Sequence, residues 1–271
     1  MKLLKIIGLF CLFCFTFIYT EKIINISVEQ DELMLKIKEY SKTYNINPTN
    51  AKIINDTIIP GNIGKYIDEE TSYKSMKKLG YFEKNLIVWK NIYPEISIYN
   101  NYLKYIIKGN NQHKEVSLIY IINNNHTIDT ILNILNKTNT KINFFIDSNF
   151  LQNNIPIINK LKENEIYNYG KNGTYTKDNL IITNNIINNK SNNNSNICLF
   201  LKKDYNNLNN CADLKMFSII PNIDNTYPGI VNNIENGRII LINNSKELEI
   251  VIEKIKSKGY SIIPLSKLIS E

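Results

Sequence analysis

Histidine and cysteine, the side chains that most often bind transition metals, are scarce in this chain. Its 271 residues include two histidines, His113 and His126, which are 13 positions apart (126 − 113). They therefore lack the four-residue spacing that places two imidazoles on one face of a helix. A site that needs three imidazoles cannot be built from this chain.

Several sequence motifs of known chemistry are also excluded. Neither HExxH nor GxSxG occurs, so the sequence encodes no zinc-protease helix and no serine nucleophile elbow. The segment 170–173 (GKNG) contains two glycines and a lysine. It lacks the Gly-Lys-Ser/Thr ending of a phosphate-binding loop between a strand and a helix, and we interpret it as a turn.

The four cysteines form two separate pairs along the sequence. Cys11 and Cys14 lie in the apolar N-terminal segment, and Cys198 and Cys211 lie in the body of the chain. The second pair is interpreted either as two buried thiols or as one disulfide bridge. No function depends on which alternative holds.

The charge distribution argues against a nucleic-acid-binding protein. The chain has 32 basic and 25 acidic residues and a net charge of +7, but Arg238 is its single arginine. Arginine makes most base-edge contacts, and nucleic-acid sites cluster basic residues with aromatic ones. The lysines here are interspersed with acidic residues, so we interpret them as solvated surface side chains.

The N-terminal segment 1–21 has the features of a signal peptide or of an N-terminal membrane anchor. Lys2 and Lys5 precede an uncharged apolar run of 14 residues, from Ile6 to Tyr19. That length suits the apolar region of a signal peptide better than a membrane span. Small residues at the cleavage positions are missing, so the segment could also remain attached. Either alternative places the body on the outer face of the cytoplasmic membrane or outside the cell.

The remaining sequence divides into two parts with different patterns. Residues 28–43 predict an amphipathic helix, and 45–112 predict an irregular segment with strand-like runs at 86–89 and 96–99. From residue 116 onward, apolar strands alternate with amphipathic helices, which favours a mostly parallel sheet. The asparagine-rich stretch 184–196 predicts a loop. The predicted strands are 116–122, 142–146, around 166, 198–201, 216–220, 239–242 and 260–264, and the predicted helices are 127–136, 150–162 and 246–258.

In the order of these predicted elements and in several sequence segments, the chain resembles the polysaccharide deacetylases, or NodB-homology family. The resemblance is carried by VSLIYIINNN (116–125), by TKINFFIDSNFLQNNIPIINKLKENEIYNYG (140–170) and most specifically by the final unit 237–271. Residues 60–89 are similar to the region before the catalytic domain in sporulation-associated members from Firmicutes. The resemblance implies an α/β fold, a distorted (β/α) barrel that is complete or incomplete. It also implies an N-terminal extension at 22–112 and a deacetylase-like domain at 113–271.

The family's chemistry implies metal-binding positions that this chain fills with other residues. Members use an Asp pair, whose first member is the base and whose second binds zinc or another divalent metal together with two histidines four residues apart. Ile121 and Ile122 occupy the positions of the Asp pair, and Tyr169 and Gly173 occupy those of the histidines. Neither Ile nor Gly offers a side-chain ligand, and Tyr is a poor zinc ligand at neutral pH. We therefore expect no bound cofactor.

Other family positions also differ. The arginine- and proline-containing loop of the family falls on 201–205 (LKKDY), and the acid histidine falls on Asn243. Asp224 is the one residue that overlays a family acid, and it is the candidate catalytic residue. Tyr169 and Tyr205 are candidate ligand-facing residues, because tyrosine rings can stack on sugars.

Three hypotheses follow from the resemblance and these substitutions. In the first, a catalytically degenerate deacetylase-like protein associates with a cell-wall or spore-wall glycan. In the second, an active metal-dependent N-deacetylase has a rearranged site. In the third, the chain is a structural or partner-binding envelope protein. The expected partners are therefore a wall glycan and, if the N-terminal segment is uncleaved, the membrane, but not nucleic acid.

Overall fold

The computed structural model describes residues 2–110, 112–222 and 227–271, and the chain divides into two compact units. The first unit comprises Met1–Pro48 and Ile63–Tyr93, and the second comprises Thr49–Asn62 and Pro94–Glu271. The segment 49–62 thus belongs to the second unit, and the predicted N-terminal extension at 22–112 stays a prediction. The strands are β1 (Lys52–Ile54), β2 (Thr57–Ile59), β3 (Gly64–Ile67), β4 (Trp89–Ile92), β5 (Tyr105–Ile106), β6 (Glu115–Ile122), β7 (Asn143–Ile146), β8 (Glu165–Asn168), β9 (Ile197–Leu199), β10 (Phe217–Ile219), β11 (Ile239–Leu241) and β12 (Ser261–Ile262). The α-helices are α1 (Lys2–Glu29), α2 (Glu32–Tyr44), α3 (Glu69–Met76), α4 (Ile128–Thr138), α5 (Ser148–Asn153), α6 (Ile157–Leu161), α7 (Lys177–Asn188), α8 (Tyr205–Asp213), α9 (Tyr227–Asn232), α10 (Leu248–Ser257) and α11 (Leu265–Leu268).

The first unit has a small core between helices α2 and α3 and strand β3. The predicted helix 28–43 is confirmed as α2, which begins where the Asp31 side chain accepts a hydrogen bond from the backbone of Leu33. Strands β3 and β4 pair in an antiparallel hairpin. The buried residues are Leu33, Met34, Ile37, Ile67, Tyr73 and Met76.

Helix α1 contains the N-terminal segment for which a signal peptide or anchor is predicted. Phe13 and Phe15 are among its exposed apolar residues. Within the described ranges, no helix has both the length and the apolar character that a membrane crossing requires. The signal-peptide interpretation of residues 1–21 stays a prediction.

The second unit contains two mostly parallel sheets, as the alternating sequence pattern predicts. One sheet has the order β11-β6-β7-β8, with β12 also paired to β6, and all its pairings are parallel. The other has the order β1-β2-β5-β10-β9, and only β1 pairs antiparallel. Strands β8 and β9 are not hydrogen-bonded neighbours in either sheet. The fold is thus a distorted, incomplete (β/α) barrel.

Alternating strand residues divide the core of the second unit into two clusters. One set, including Leu118 and Phe144, packs against helices α4, α6 and α10, and we call it the outer cluster. The other set, including Ile119 and Phe145, meets residues of β9 and β10, and we call it the inner cluster. A strand buried on both faces requires apolar residues at successive positions, which is the pattern VSLIYII shows.

Local differences from the predicted elements have identifiable causes. The predicted helix 150–162 is two helices, α5 and α6, because Pro156 interrupts the pattern. The irregular segment 45–112 contains β1 to β5 and α3. Of its two predicted strand-like runs, 86–89 spans the end of a 3-10 turn and the first residue of β4, and 96–99 leads into a 3-10 turn rather than a strand. These strands are too short for a clear alternating pattern.

The asparagine-rich stretch 184–196 is only partly a loop. Its first residues belong to α7, which continues to Asn188. Beyond the helix, Asn193 accepts a hydrogen bond from the Ile166 N–H and donates one to the Ile166 carbonyl, and Ser195 accepts one from the Asn168 N–H. Side chains of this stretch therefore satisfy the free edge of β8.

Cys198 and Cys211 form a disulfide, which decides between the two alternatives left open by the sequence. Their Cα atoms are 6.6 Å apart, and both residues are buried. The bridge connects strand β9 to helix α8, on the side of the sheet where Tyr175 and Leu208 also pack. The loop that it closes contains the segment 201–205.

Replacement of Glu271 by alanine is expected to lower the free energy of unfolding by about 2 kcal/mol. One carboxylate oxygen of Glu271 accepts hydrogen bonds from the backbone of Gly61 and Ile98, both at 3.1 Å, and the other accepts one from the Ser97 hydroxyl. Chemical denaturation measures the change. Ser270→Ala is the matched control, because that exposed hydroxyl bonds only to the nearby Lys267 carbonyl. Equal stability of the Glu271 and Ser270 variants would contradict the prediction.

Candidate active site

The carboxyl ends of strands β8 and β9 open onto a cavity of about 360 Å³. In parallel α/β folds this edge is where ligands bind, because loops there can vary without disturbing the sheet. The cavity, called the strand-end cavity below, is lined by Tyr169, Asn172, Gly173, Leu199, Phe200, Leu201, Lys202 and Asp204. It joins the predicted metal-binding positions 169 and 173 to the predicted loop 201–205.

The turn after β8 brings Tyr169 and Gly173 against each other. Lys171 and Thr174 exchange two backbone hydrogen bonds of 2.9 and 3.0 Å, and Asn172 and Gly173 between them have φ angles of 53° and 81°. Asn-Gly is the sequence preferred for two successive positive φ angles, so the turn is encoded locally. A Cβ atom at position 173 would lie 3.1 Å from the Tyr169 hydroxyl oxygen. The tyrosine thus occupies the space beside Gly173.

Asp147, which follows β7, stabilises this turn through a hydrogen bond to its backbone. Its Oδ1 accepts hydrogen bonds from the backbone of Asn149 and Phe150 at 2.9 and 3.0 Å, which caps helix α5. Its Oδ2 accepts one from the backbone of Asn172 at 2.6 Å. One buried carboxylate therefore connects the start of a helix to the wall of the strand-end cavity.

The ring of Tyr169 is buried, while its hydroxyl remains available to hydrogen-bond to a ligand. The residue is 7% exposed and belongs to the inner cluster. Burial raises the pKa of the hydroxyl, and the charge of Asp147 raises it further, so the phenol stays protonated at neutral pH. Across the described part of the chain, no protein group hydrogen-bonds to this hydroxyl. It is a proton donor at the cavity wall.

The segment after β9 supplies the opposite wall and two charged groups. Asp204 caps helix α8 and accepts hydrogen bonds from the backbone N–H and side-chain amide of Asn207 at 3.1 and 2.6 Å. These bonds, the backbone one foremost, lower the pKa of the Asp204 carboxyl. The ammonium of Lys202 has no hydrogen bond or ion pair with any residue that the structure describes.

Tyr205, predicted to face a ligand, does not line the strand-end cavity. It is 60% exposed, and its hydroxyl donates to Asp56 at 3.0 Å. The ammonium of Lys203 binds the other oxygen of Asp56 at 2.8 Å, which lowers the pKa of that carboxyl. Of the two predicted ligand-facing tyrosines, only Tyr169 borders the cavity.

The two isoleucines that the sequence resemblance places at the Asp-pair positions lie on opposite faces of β6. Ile121 is half-buried against the inner cluster and pairs in register with Phe145 of β7. Ile122 is buried in the outer cluster, beneath the helices. Neither lines the strand-end cavity. Both are hydrophobic packing residues in this fold.

The two remaining predicted site residues lie apart from the cavity or outside the description. Asn243 is exposed after β11 and does not line the strand-end cavity. Asp224, the candidate catalytic residue, falls in 223–226, outside the described residues. Its role stays a prediction.

The donor set does not fit the family's metal. In the described ranges, no three His, Cys, Asp or Glu residues cluster closely enough to hold an ion. Tyr169 contributes a protonated hydroxyl, Gly173 contributes no side chain, and Ile121 contributes only hydrocarbon. No hydrolytic step that depends on a metal can be assigned to these residues.

Sequence reasoning missed three residues of the site: Asp147, Asn172 and Lys202. A signal for Asp147 exists, since Asp-Ser directly after a buried strand is typical of a helix N-cap. Asn172 could have been singled out by the Asn-Gly turn signature. Nothing in the sequence distinguishes Lys202 from the other lysines.

A second cavity of about 410 Å³ lies beside the loops that follow β6 and α5. Asn125, Asp129 and Lys160 are among its lining residues, and the last two form an exposed ion pair of 3.1 Å. It contains none of the predicted site residues. We therefore treat the strand-end cavity as the candidate site.

Comparison with known proteins agrees with this fold. No family model matches the chain. It is 29% identical over 155 residues to the uncharacterized protein YlxY of Bacillus subtilis (strain 168), in an alignment covering 55% of this chain. That alignment covers 48% of YlxY, so the chain matches only about half the length of this relative.

Solved structures extend the match to most of the chain. The pseudoenzyme BA3943 of Bacillus anthracis, a member of carbohydrate esterase family 4 (CE4), is 25% identical, with a TM-score of 0.60 over 89% of this chain and 96% of its own. The Bc1960 peptidoglycan N-acetylglucosamine deacetylase is 19% identical, with a TM-score of 0.53 over 62% of this chain and 94% of its own, and it supports the fold alone. In fold, and in sequence similarity to BA3943, the chain thus resembles the CE4 polysaccharide deacetylases.

Proposed function

We propose that this chain is a catalytically degenerate deacetylase-like protein that binds a glycan of the cell envelope. The observation that supports the proposal is the strand-end cavity itself. It lies at the carboxyl ends of the strands, and its lining includes Tyr169 and Gly173, which the sequence resemblance places at the positions of the two family histidines. A cavity with hydrogen-bond donors, in which the described residues provide no cluster of three metal-ligating side chains, suits binding better than hydrolysis.

Peptidoglycan is the proposed glycan. The similar Bc1960 protein is named as a peptidoglycan N-acetylglucosamine deacetylase. By analogy we propose an exported protein that acts at the cell wall and requires no metal cofactor. Attachment through residues 1–21 and a role at the spore wall are narrower versions of this proposal, and they depend on the sequence resemblance.

The purified chain is expected to be retained on insoluble peptidoglycan and to release no acetate from it, with or without added zinc. Sedimentation measures retention, and an acetate assay measures hydrolysis. Acetate release would overturn the proposal in favour of an active deacetylase. Failure to bind would favour a purely structural role.

A pair of matched variants locates the binding. Leu201→Trp places a large ring in the strand-end cavity, and it is expected to reduce retention. Ile181→Trp makes a similar change at an exposed position of α7 outside the cavity, and it is expected to bind like the unaltered chain. Leu201 and Ile181 are 42% and 48% exposed, so both sites tolerate a larger side chain. Equal retention of both variants would show that binding occurs elsewhere.

A further inference from the structure

We infer that Asp56, in the turn between β1 and β2, is a positioning residue of the strand-end cavity. Its carboxylate holds the segment 201–205, whose residues form one wall of that cavity. The inference rests on the proposed glycan binding and deepens it, because it names a residue outside the cavity on which the binding geometry depends. Asp56 and the segment belong to the same compact unit.

The residues of the segment divide between the cavity and Asp56. Those that line the cavity are Leu201, Lys202 and Asp204. The other two bind Asp56: the ammonium of Lys203 lies 2.8 Å from Oδ1, and the hydroxyl of Tyr205 donates to Oδ2 at 3.0 Å. One carboxylate therefore holds the segment on both sides of a residue that lines the cavity.

The segment has little internal structure that could fix its conformation. Residues 201–204 are irregular, and the sequence LKKDY contains no proline to restrict the backbone. The disulfide between Cys198 and Cys211 constrains the two ends of the surrounding loop. The position of the middle of that loop therefore depends on contacts with other parts of the fold.

Asp56 is itself held firmly by the sheet. Its carbonyl oxygen accepts a hydrogen bond of 2.9 Å from the backbone N–H of Tyr105, and β2 pairs with β5 in parallel. The buried Tyr105 also contacts the segment directly, because its hydroxyl accepts a hydrogen bond of 2.8 Å from the Asp204 N–H. The hairpin and β5 thus form one support against which the segment is held.

The expected consequence of losing Asp56 is local opening of the segment rather than unfolding of the chain. The side chains of Asp56 and Lys203 are 20% and 51% exposed, and ion pairs of such exposure contribute little to overall stability. An irregular surface segment opens at a much lower free-energy cost than the whole fold. A modest loss therefore changes the open population severalfold.

Limited proteolysis with trypsin measures this opening. Lys202 and Lys203 are the only lysine or arginine residues between Cys198 and Cys211, so the disulfide keeps the products of cleavage here joined until a reductant is added. Asp56→Ala is expected to accelerate this reduction-dependent cleavage about fivefold. Asp129→Ala is the control, because it removes an ion pair of 3.1 Å with Lys160 elsewhere in the same unit. It is expected to leave the rate unchanged.

Charge reversal measures the effect on binding. Asp56→Lys replaces attraction to Lys203 by repulsion, and it is expected to weaken retention on peptidoglycan about fivefold, since apparent affinity falls with the fraction of chains in the binding conformation. Adding Lys203→Asp restores an opposite-charge pair and is expected to recover the retention. Asp129→Lys makes the same charge change away from the segment and is expected to bind like the unaltered chain. A contribution to stability alone would not produce recovery on exchange of the two charges.

The outcomes separate this inference from the proposed function. An unchanged cleavage rate in Asp56→Ala would overturn it, as would equal effects of the Asp56 and Asp129 variants. Faster cleavage with unaltered retention of Asp56→Lys would show that the segment does not position the cavity for its ligand. Absence of retention for the unaltered chain would overturn the proposed function, and the cleavage rates would still decide whether Asp56 holds the segment.

Discussion

Replacement of Asp147 by alanine is expected to lower the free energy of unfolding by about 3 kcal/mol. The substitution removes the cap of α5 and also leaves the backbone N–H of Asn172 without its acceptor. The cost exceeds that of an ordinary helix cap, because the carboxylate is buried and its loss leaves donors that water cannot easily reach. Urea denaturation followed by circular dichroism measures the change.

Two further variants distinguish the separate functions of this carboxylate. Asp147→Asn preserves an oxygen for the α5 cap but can place an amide N–H toward the Asn172 N–H, which is also a donor. We therefore expect an intermediate decrease in the free energy of unfolding. Asp204→Ala removes a cap of α8 in the same unit, and it is expected to cost about 1 kcal/mol. If Asp147→Ala costs no more than Asp204→Ala, the connection to the cavity turn contributes nothing to stability.

Asp147 also illustrates how much of the site the sequence could predict. The buried strand before it and the helix after it follow from apolar periodicity, and the Asp-Ser sequence is a recognisable helix start. Its bond to Asn172, 25 residues later, has no sequence signal. Contacts of this kind depend on which strands become neighbours, and no local pattern determines that pairing.

The same distinction between local and long-range information explains the rest of the fold. VSLIYII encodes β6 because both faces of that strand are buried, and the unit 237–271 forms β11, α10 and β12 as the resemblance implies. The strands within 45–112 have two to four residues, too few for a periodic pattern. The hydrogen bonds of Asn193 to the backbone of β8 could not be predicted, because asparagine fills most of the stretch 184–196. Composition cannot show which asparagine replaces a strand partner.

Replacement of Gly173 by histidine, the residue that the sequence resemblance implies at this position, is expected to lower the free energy of unfolding by about 3 kcal/mol. Two independent causes contribute to this loss. The φ angle of 81° strains any residue with a Cβ atom, and that atom would lie 3.1 Å from the Tyr169 hydroxyl oxygen. Thermal or chemical denaturation measures the sum of the two effects.

A matched glycine separates backbone strain from the contact with Tyr169. Gly259 has a φ angle of 79° and lies in the same unit, but no atom lies within 4 Å of a Cβ placed there. Gly259→His is therefore expected to lower the free energy of unfolding only by the cost of backbone strain, about 1–2 kcal/mol. Equal losses for the two variants would mean that Tyr169 does not restrict position 173.

The contact also predicts that the two ligand positions are energetically coupled. In a Tyr169→His background, Gly173→His is expected to be less destabilising than in the unaltered chain by about 1 kcal/mol, a typical coupling for residues in contact. Additive losses would contradict this coupling.

The double variant is nevertheless expected to bind no stoichiometric zinc in calorimetric titration, because catalytic zinc sites take three protein ligands and Ile121 and Ile122 supply none. Stoichiometric zinc would reveal a third donor beside these positions. Restoring an Asp at Ile122 would place a charge in the outer cluster, where Ile122 is 1% exposed. Two of the positions that the resemblance assigns to metal ligands, Tyr169 and Ile122, are thus packing positions in this fold.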